Sequence, residues 1–268
     1  MARQMHQAPV SRLGHVVAPL VVVVAVLVIW QLVAAADVWP STMLPAPTEV
    51  AQRLGHDWTA SNLPLRTWIP LGEALVGCVV AAVIALPLGY LLARWPLAEA
   101  AASPLIAASQ AVPAVAIAPL LVVWVGYGTI PVVLLCALMV FFPMALATVL
   151  GLRQIDHELL WAAALDGAHG WSLLWHLEWP LARKPILMGL RTGFTLSITG
   201  AVVGEFVMGG RGLGMVVSVE SSGSDTTGLF ATIIVLCLLA VAIYLIIWAV
   251  EVLTDPLRPA NPKEIPAS

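Results

Sequence analysis

A chain of 268 residues in which 60% of side chains are hydrophobic and only 10% are charged falls well short of the about 25% charge of a soluble domain. This excludes a water-soluble core, and several long apolar runs rather than one point to a polytopic membrane bundle. The net charge of −3 decides little, because in a membrane protein the placement of Lys and Arg matters more than their sum.

Six spans are expected in chain order: 16–33, 68–93, 104–125, 130–150, 185–207 and 228–253. Each is near the roughly 20 residues a helix needs to cross a bilayer. The first follows a basic segment and precedes Ala34-Ala35-Ala36, as a cleaved signal would. Its apolar stretch exceeds the usual signal core, so it is read as a retained span. The stretch 34–67 shows no obvious domain pattern. Pro113, Pro119 and Pro143 interrupt the third and fourth spans, which membranes tolerate where neighbours satisfy the freed carbonyls. The organisation is then a tail, first span and external loop over 1–66, a five-span core over 67–254 and a tail over 255–268.

Lys and Arg set the orientation. With the N-terminus in the cytoplasm, nine of them (Arg3, Arg12, Arg94, Arg153, Arg183, Lys184, Arg258 and Lys263, with Arg191 counted here although it falls within the fifth expected span) lie inside and three (Arg53, Arg66 and Arg211) lie outside. The positive-inside rule therefore places both termini and the 151–184 loop in the cytoplasm. Cys78, Cys136 and Cys237 sit far apart within apolar runs, without metal-ligand spacing, and read as small hydrophobes. The chain has no Gly-x-x-x-x-Gly-Lys-[Ser/Thr] loop, so any ATP that drives it must be bound by another protein.

The 151–184 loop is the most informative stretch. It reads Trp161-Ala162-Ala163-Ala164-Leu165-Asp166-Gly167, then nine residues, then Leu177-Glu178-Trp179-Pro180. His157 to Asp166 suits a short helix rich in Ala and Leu, with Asp156 as N-cap and Gly167 as stop. A second short helix is expected from Trp171 to Glu178, ended by Pro180. Trp161 and Leu165 are four apart, share a face and can anchor the first helix in a groove, while the alanines and Ala168 allow close approach. Bulk character alone also fits a membrane-surface hairpin with Trp161, Trp171, Trp175 and Trp179 in an interfacial belt.

At these residues the sequence resembles the permease subunits of binding-protein-dependent ABC importers. Their signature is Glu-Ala-Ala, three residues, Gly, nine residues, Ile-x-Leu-Pro. Ala162, Ala163, Gly167 and Pro180 fall on that spacing and Leu177 stands for the Ile. Trp161 replaces the Glu and Trp179 the Leu. Further matches lie in Leu44-Pro45-Ala46-Pro47, Pro113, Pro119, Trp124, Gly126, Gly128, Phe142, Pro143, Gly151, Asp156, Gly189-Leu190-Arg191, Glu205 and Gly212-Leu213-Gly214. These resemble the nitrate, sulfonate and taurine branch. Glu73 stands where that branch usually has Arg, four residues before Gly77.

The resemblance implies an all-α bundle of six transmembrane helices with the type I ABC importer permease fold, in a bacterial inner membrane. It implies a second permease copy, two ATPase subunits that bind the ATP and Mg, and an external or lipid-anchored solute-binding protein. The chain itself is expected to bind no cofactor, metal or nucleic acid and to catalyse nothing. Trp161, Ala162, Ala163, Leu165, Gly167, Ala168, Leu177 and Pro180 would contact the ATPase. The solute would be a small anion such as a sulfonate, taurine or nitrate, although the branch also serves thiamine-precursor pyrimidines.

Glu73, Arg191 and Glu205 are costly in or at the ends of spans and usually face a bundle interior or water. Glu73, Ser197, Thr199 and Glu205 are the expected path residues. The structural alternative is a buried pair, snorkelling to the interface, or hydroxyls bonded to their own helix. Met208–Gly214 is expected to form a tight external turn. The rival classes are a glycine-betaine-type permease, which shares the loop, an ion-coupled secondary transporter, which would show paired repeats, and a membrane scaffold, which would not need the loop spacing.

Overall fold

The computed structural model describes residues 12–36, 39–95, 97, 100–101, 104 and 112–254. The expected tail 255–268 lies outside them, as do most of the 96–111 residues that include the start of the third expected span. The described elements are helical: α1 (Arg12–Ala35), α2 (Pro47–Ala60), α3 (Leu63–Arg94), α4 (Ala114–Val125), α5 (Thr129–Arg153), α6 (His157–Leu165), α7 (Gly170–Leu173), α8 (Trp179–Met208), α9 (Leu213–Ser222) and α10 (Thr226–Thr254). A π-helical turn, Leu174–Glu178, joins α7 to α8.

Four helical stretches are long and apolar enough to cross a membrane: Leu63–Arg94, Thr129–Arg153, Gly170–Met208 and Thr226–Ile246. Shorter apolar stretches, Val21–Ala35 and Ala114–Val125, stand at the first and third expected spans. The architecture is the expected all-α bundle.

Its centre is a three-helix layer in which α5 packs along both α3 and α8, and α3 meets α8. Lipid is as apolar as leucine, so helices in a bilayer hold together by close packing of small residues rather than by expulsion from water. Ala74, Ala81, Ala85, Ala137, Ala145, Ala182 and Ala201 are all buried at these contacts. Gly77 marks the tightest point of the α3–α5 crossing: a β-carbon there would run into Cys136 and stand 3.0 Å from the Ala137 amide. Cys136 Sγ in turn donates to the Ser197 carbonyl at 3.3 Å, tying α5 to α8.

One difference from the sequence reading concerns a helix end. The second loop helix does not stop at Pro180, because the chain is helical without a break from Gly170 to Met208. A proline inside a helix leaves a carbonyl without its donor. Here Pro180 falls in the first turn of α8, straight after the π-turn, in which the Trp179 amide donates to Leu174 O. The helix of the fifth expected span, α8, therefore begins well before residue 185. The 34–67 stretch, which shows no domain pattern in sequence, carries one short helix. Pro47 opens α2, Glu49 accepts from the Ala46 amide at 3.1 Å, and Val50 and Asp57 are buried.

Candidate functional site

The loop helix α6 forms as its sequence suggests. Asp156 caps it, accepting from the Glu158 amide at 3.0 Å. It closes in a Schellman arrangement: Gly167 N donates to Ala164 O at 3.1 Å and Ala168 N to Ala163 O at 2.9 Å. That closure requires a left-handed residue, and Gly167 supplies it at φ +86°. No residue of α6 is buried. Trp161 is 69% exposed and Leu165 is 90% exposed. Two large apolar side chains one turn apart thus stand clear of their own protein. Ala162 is exposed, Ala163 and Ala168 are half-buried, and beyond the turn Leu177 is half-buried and Pro180 exposed. Trp171 meets Trp175 edge-on with ring centroids 5.7 Å apart, and Trp175 meets Trp179 at a tilt with centroids 6.0 Å apart.

One anchor of this loop escaped the sequence reading. Glu178 is buried, and Arg94 at the end of α3 reaches its Oε1 at 2.7 Å and its Oε2 at 2.8 Å. The same guanidinium donates to Tyr90 Oη at 2.7 Å. An isolated buried carboxylate would be costly, so the loop is fixed to α3 by charge. The available signal was Glu178 itself, a carboxylate in an otherwise apolar stretch.

At the opposite end of the bundle, Glu205 is fully buried. Its Oε1 accepts from the Gly212 amide at 2.7 Å and its Oε2 from the Gly214 amide at 2.9 Å. The carboxylate thereby satisfies orphan donors at the start of α9 and complements that helix's positive end. The Gly-x-Gly segment lies against the Glu205 side chain, and a β-carbon at Gly212 would meet its oxygens and Pro70. The turn expected at 208–214 is therefore a socket for one carboxylate. Glu73 is also buried, and its Oε2 has no hydrogen-bond partner among the described residues. Ser197 is buried and donates to Ala74 O at 2.8 Å, from α8 to α3. Thr199, by contrast, is exposed on α8. The guanidinium of Arg191 lies 3.8 Å from the centroid of the Tyr244 ring of α10.

An ionic cluster holds the helices on the Glu205 side. Arg53 of α2 bonds Asp57 Oδ2 and Asp225 Oδ2, each at 2.7 Å. Asp225 Oδ1 accepts from the Gly228 amide at 3.0 Å at the start of α10. Burial pushes the Asp57 carboxyl up, but hydrogen bonds from Arg53, His56 and Ser61 outweigh it and leave the group below its ordinary value. The hydrogen bond to Asp57 raises Arg53 despite its own desolvation. Glu220, nearby on α9, is raised by burial against a hydrogen bond from Thr232.

The family model of the binding-protein-dependent transport system inner membrane component matches residues 85–258. The chain belongs to this family. The permease is 40% identical over 231 residues to the riboflavin transport system permease protein RibX of Chloroflexus aurantiacus, covering 86% of each chain. It is 29% identical to the formylaminopyrimidine transport permease protein ThiX of Halalkalibacterium halodurans, over 87% of this chain and 92% of that one. It is 27% identical to the taurine transport system permease protein TauC of Escherichia coli, over 80% of each. Its fold is similar to that of a chain of the inward-facing MetNI methionine ABC transporter, with a TM-score of 0.62 at 19% identity, covering 72% of this chain and 97% of that one. As an ABC importer permease it is a non-catalytic component of the inner membrane that works with ATPase subunits and a binding protein.

Proposed function

We propose that this permease forms the membrane path of an importer for a small planar heterocycle of flavin or pyrimidine type. The observation that carries this reading is the 40% identity to a riboflavin permease over 86% of both chains, supported by the formylaminopyrimidine permease at 29%. A second reading, a taurine or sulfonate importer, rests on the 27% identity to TauC. These relatives lend no support to nitrate, which is not carried forward. Uptake of radiolabelled riboflavin and radiolabelled taurine, by cells that lack their own systems and express this permease with its cognate ATPase and binding protein, separates the two. Riboflavin uptake dependent on the permease supports the first reading; taurine uptake alone replaces it with the second.

Two copies of the permease, in this proposal, enclose one path between two ATPases that carry the ATP and Mg. The termini and the 151–184 loop face the cytoplasm, and a binding protein docks on the side of α2 and α9. The exposed pair Trp161 and Leu165 seats α6 in a groove of the ATPase, with Ala162, Ala163 and Ala168 allowing close approach and Gly167 setting the turn. Leu177 and Pro180 connect that contact to α8. Thr199 faces the path, while Ser197, Glu205 and Glu73 hold the helices that shape it.

A further inference from the structure

The helix α9 is held at its two ends by different means. Leu213 and Gly214 are buried in its first turn, where the Glu205 carboxylate meets the backbone. In its last turn the buried residue is Glu220. The residues that follow, Ser221 to Ser224, are exposed. A carboxylate is a costly residue with which to pin a helix end. Glu220 is 8% exposed, and its Oε2 has no hydrogen-bond partner among the described residues. A buried oxygen in that position is far cheaper to keep neutral than charged.

The surroundings of Glu220 are acidic. Its Oε1 and Asp225 Oδ2 converge on the first turn of α10: a β-carbon at Gly228 would stand 2.8 Å from the first and 2.7 Å from the second. The backbone keeps the two residues close, because the Asp225 amide donates to Glu220 O at 3.0 Å. Arg53 and Asp57 face Glu220 from α2, and the Thr232 hydroxyl bonds it from α10. His56 stands behind Asp57 and is exposed. Glu205, the carboxylate of α8 that meets α9, lies at the opposite end of that helix. The Arg53 guanidinium already bonds both Asp57 and Asp225. An ionised Glu220 would put a third carboxylate on one cation. Burial raises its carboxyl above the ordinary value, Asp225 and Asp57 add to the rise, and Thr232 and Arg53 oppose it without cancelling it.

We propose that Glu220, Asp225, Asp57 and Arg53 form a proton-operated latch. With a proton on Glu220, the last turn of α9 stays closed on α2 and α10. Loss of that proton to water sets Glu220 against Asp225 across Gly228 and frees the turn. The effect on transport rests on the reading that the binding protein docks on the side of α2 and α9: alkaline pH on that side weakens its seat, and acid pH firms it.

The test uses the permease–ATPase complex in lipid nanodiscs, where both faces meet the buffer. A nitroxide label is placed at Ser221→Cys on a Cys237→Ala background, in which the remaining thiols, Cys78 and Cys136, are buried. The mobile fraction of its spectrum should rise about twofold as the pH climbs from about 5 to about 8. Glu220→Gln keeps the size and stays neutral, so its label should remain at the low-pH level throughout. Asp225→Asn removes the adjacent negative charge while its amide oxygen can still accept from Gly228. It should move the midpoint to lower pH. Over the same range, the affinity of the wild-type complex for its binding protein should weaken about fivefold relative to Glu220→Gln. A wild-type label that does not respond to pH overturns the latch, whatever the variants do. So does an equal response in Glu220→Gln, or a midpoint that Asp225→Asn moves upward. A label that loosens while the affinity follows that of Glu220→Gln supports the latch and overturns the docking side on which its effect rests.

Discussion

Arg94 and Glu178, 84 residues apart, meet at 2.7 Å where the last turn of α3 meets the loop that leads into α8. The pair is asymmetric: the Glu178 side chain is 5% exposed and that of Arg94 is 41% exposed. Arg94→Ala strands a buried carboxylate and should destabilise the permease by about 1–3 kcal/mol. That is below the range of a fully buried pair, because solvent reaches the arginine. Glu178→Gln, which keeps the shape and can still accept from Arg94, should cost less. Thermal unfolding in detergent checks the order, and equal melting temperatures for both variants and wild type would show that the pair adds nothing.

The Glu205 socket predicts a second pair of effects. Gly212→Ala places a methyl group against the carboxylate and Pro70, and should destabilise by about 1–3 kcal/mol through overpacking. Glu205→Gln turns an amide N–H toward one of two backbone donors and should cost a similar amount. Limited proteolysis between α8 and α9 should accelerate in both, and unchanged cleavage rates would count against the socket.

Gly167→Pro cannot reach φ +86°, and Ala163→Arg puts a bulky cation on the contact face of α6. Both should abolish solute uptake and reduce co-purification of the ATPase, with expression and membrane insertion retained. Gly167→Ala is milder, at about 1–2 kcal/mol of backbone strain, and should leave measurable uptake. Normal uptake in both Gly167→Pro and Ala163→Arg would reduce α6 to a surface hairpin.

The Arg53–Asp57–Asp225 cluster gives a pH dependence. The folded-state pKa of Asp57 lies below its ordinary 3.8, so its contribution to stability is fully present above that value. It is lost as the pH falls through the lower, folded value. Wild type should therefore lose melting temperature on acidification below about pH 4 more steeply than Asp57→Asn. Glu220 runs the other way: its folded value is raised, so its ionisation weakens the fold as the pH climbs past the ordinary 4.5. Glu220→Gln should flatten that decline, and parallel melting curves against pH for Glu220→Gln and wild type would exclude the effect.

Topology is open to labelling. On a Cys237→Ala background, which removes the exposed native thiol, Ala168→Cys should resist a membrane-impermeant maleimide in intact cells and Ser222→Cys should react. Reaction at 168 and protection at 222 would invert the proposed orientation.

Hydropathy and turn chemistry made much of this molecule readable from the sequence. The central spans are long apolar runs, and α6 begins at Asp156 and turns at Gly167 because capping depends on neighbours in sequence. Other features depended on space. Pro180 read as a helix end, since nothing local announces a π-turn that carries the helix past it. Glu205 stood out only as a charge at the end of a span, because its partners are backbone amides beyond a turn, which no residue type reveals. The Arg94–Glu178 contact joins positions whose proximity exists only once α3 and α8 are packed.

The unbroken run from Gly170 to Met208 spans 39 residues, or about 58 Å at the rise of an α-helix. At one end it is bolted through Glu178 to Arg94, and at the other it holds the start of α9 through Glu205. Such a rod behaves as a lever: a tilt imposed at the loop arrives at the far membrane face as a displacement of Gly212 and Gly214, without a relay of intervening side chains. The two carboxylate anchors, Glu178 and Glu205, thus sit on one continuous helix, so the loop contact and the socket at the start of α9 share a single mechanical element.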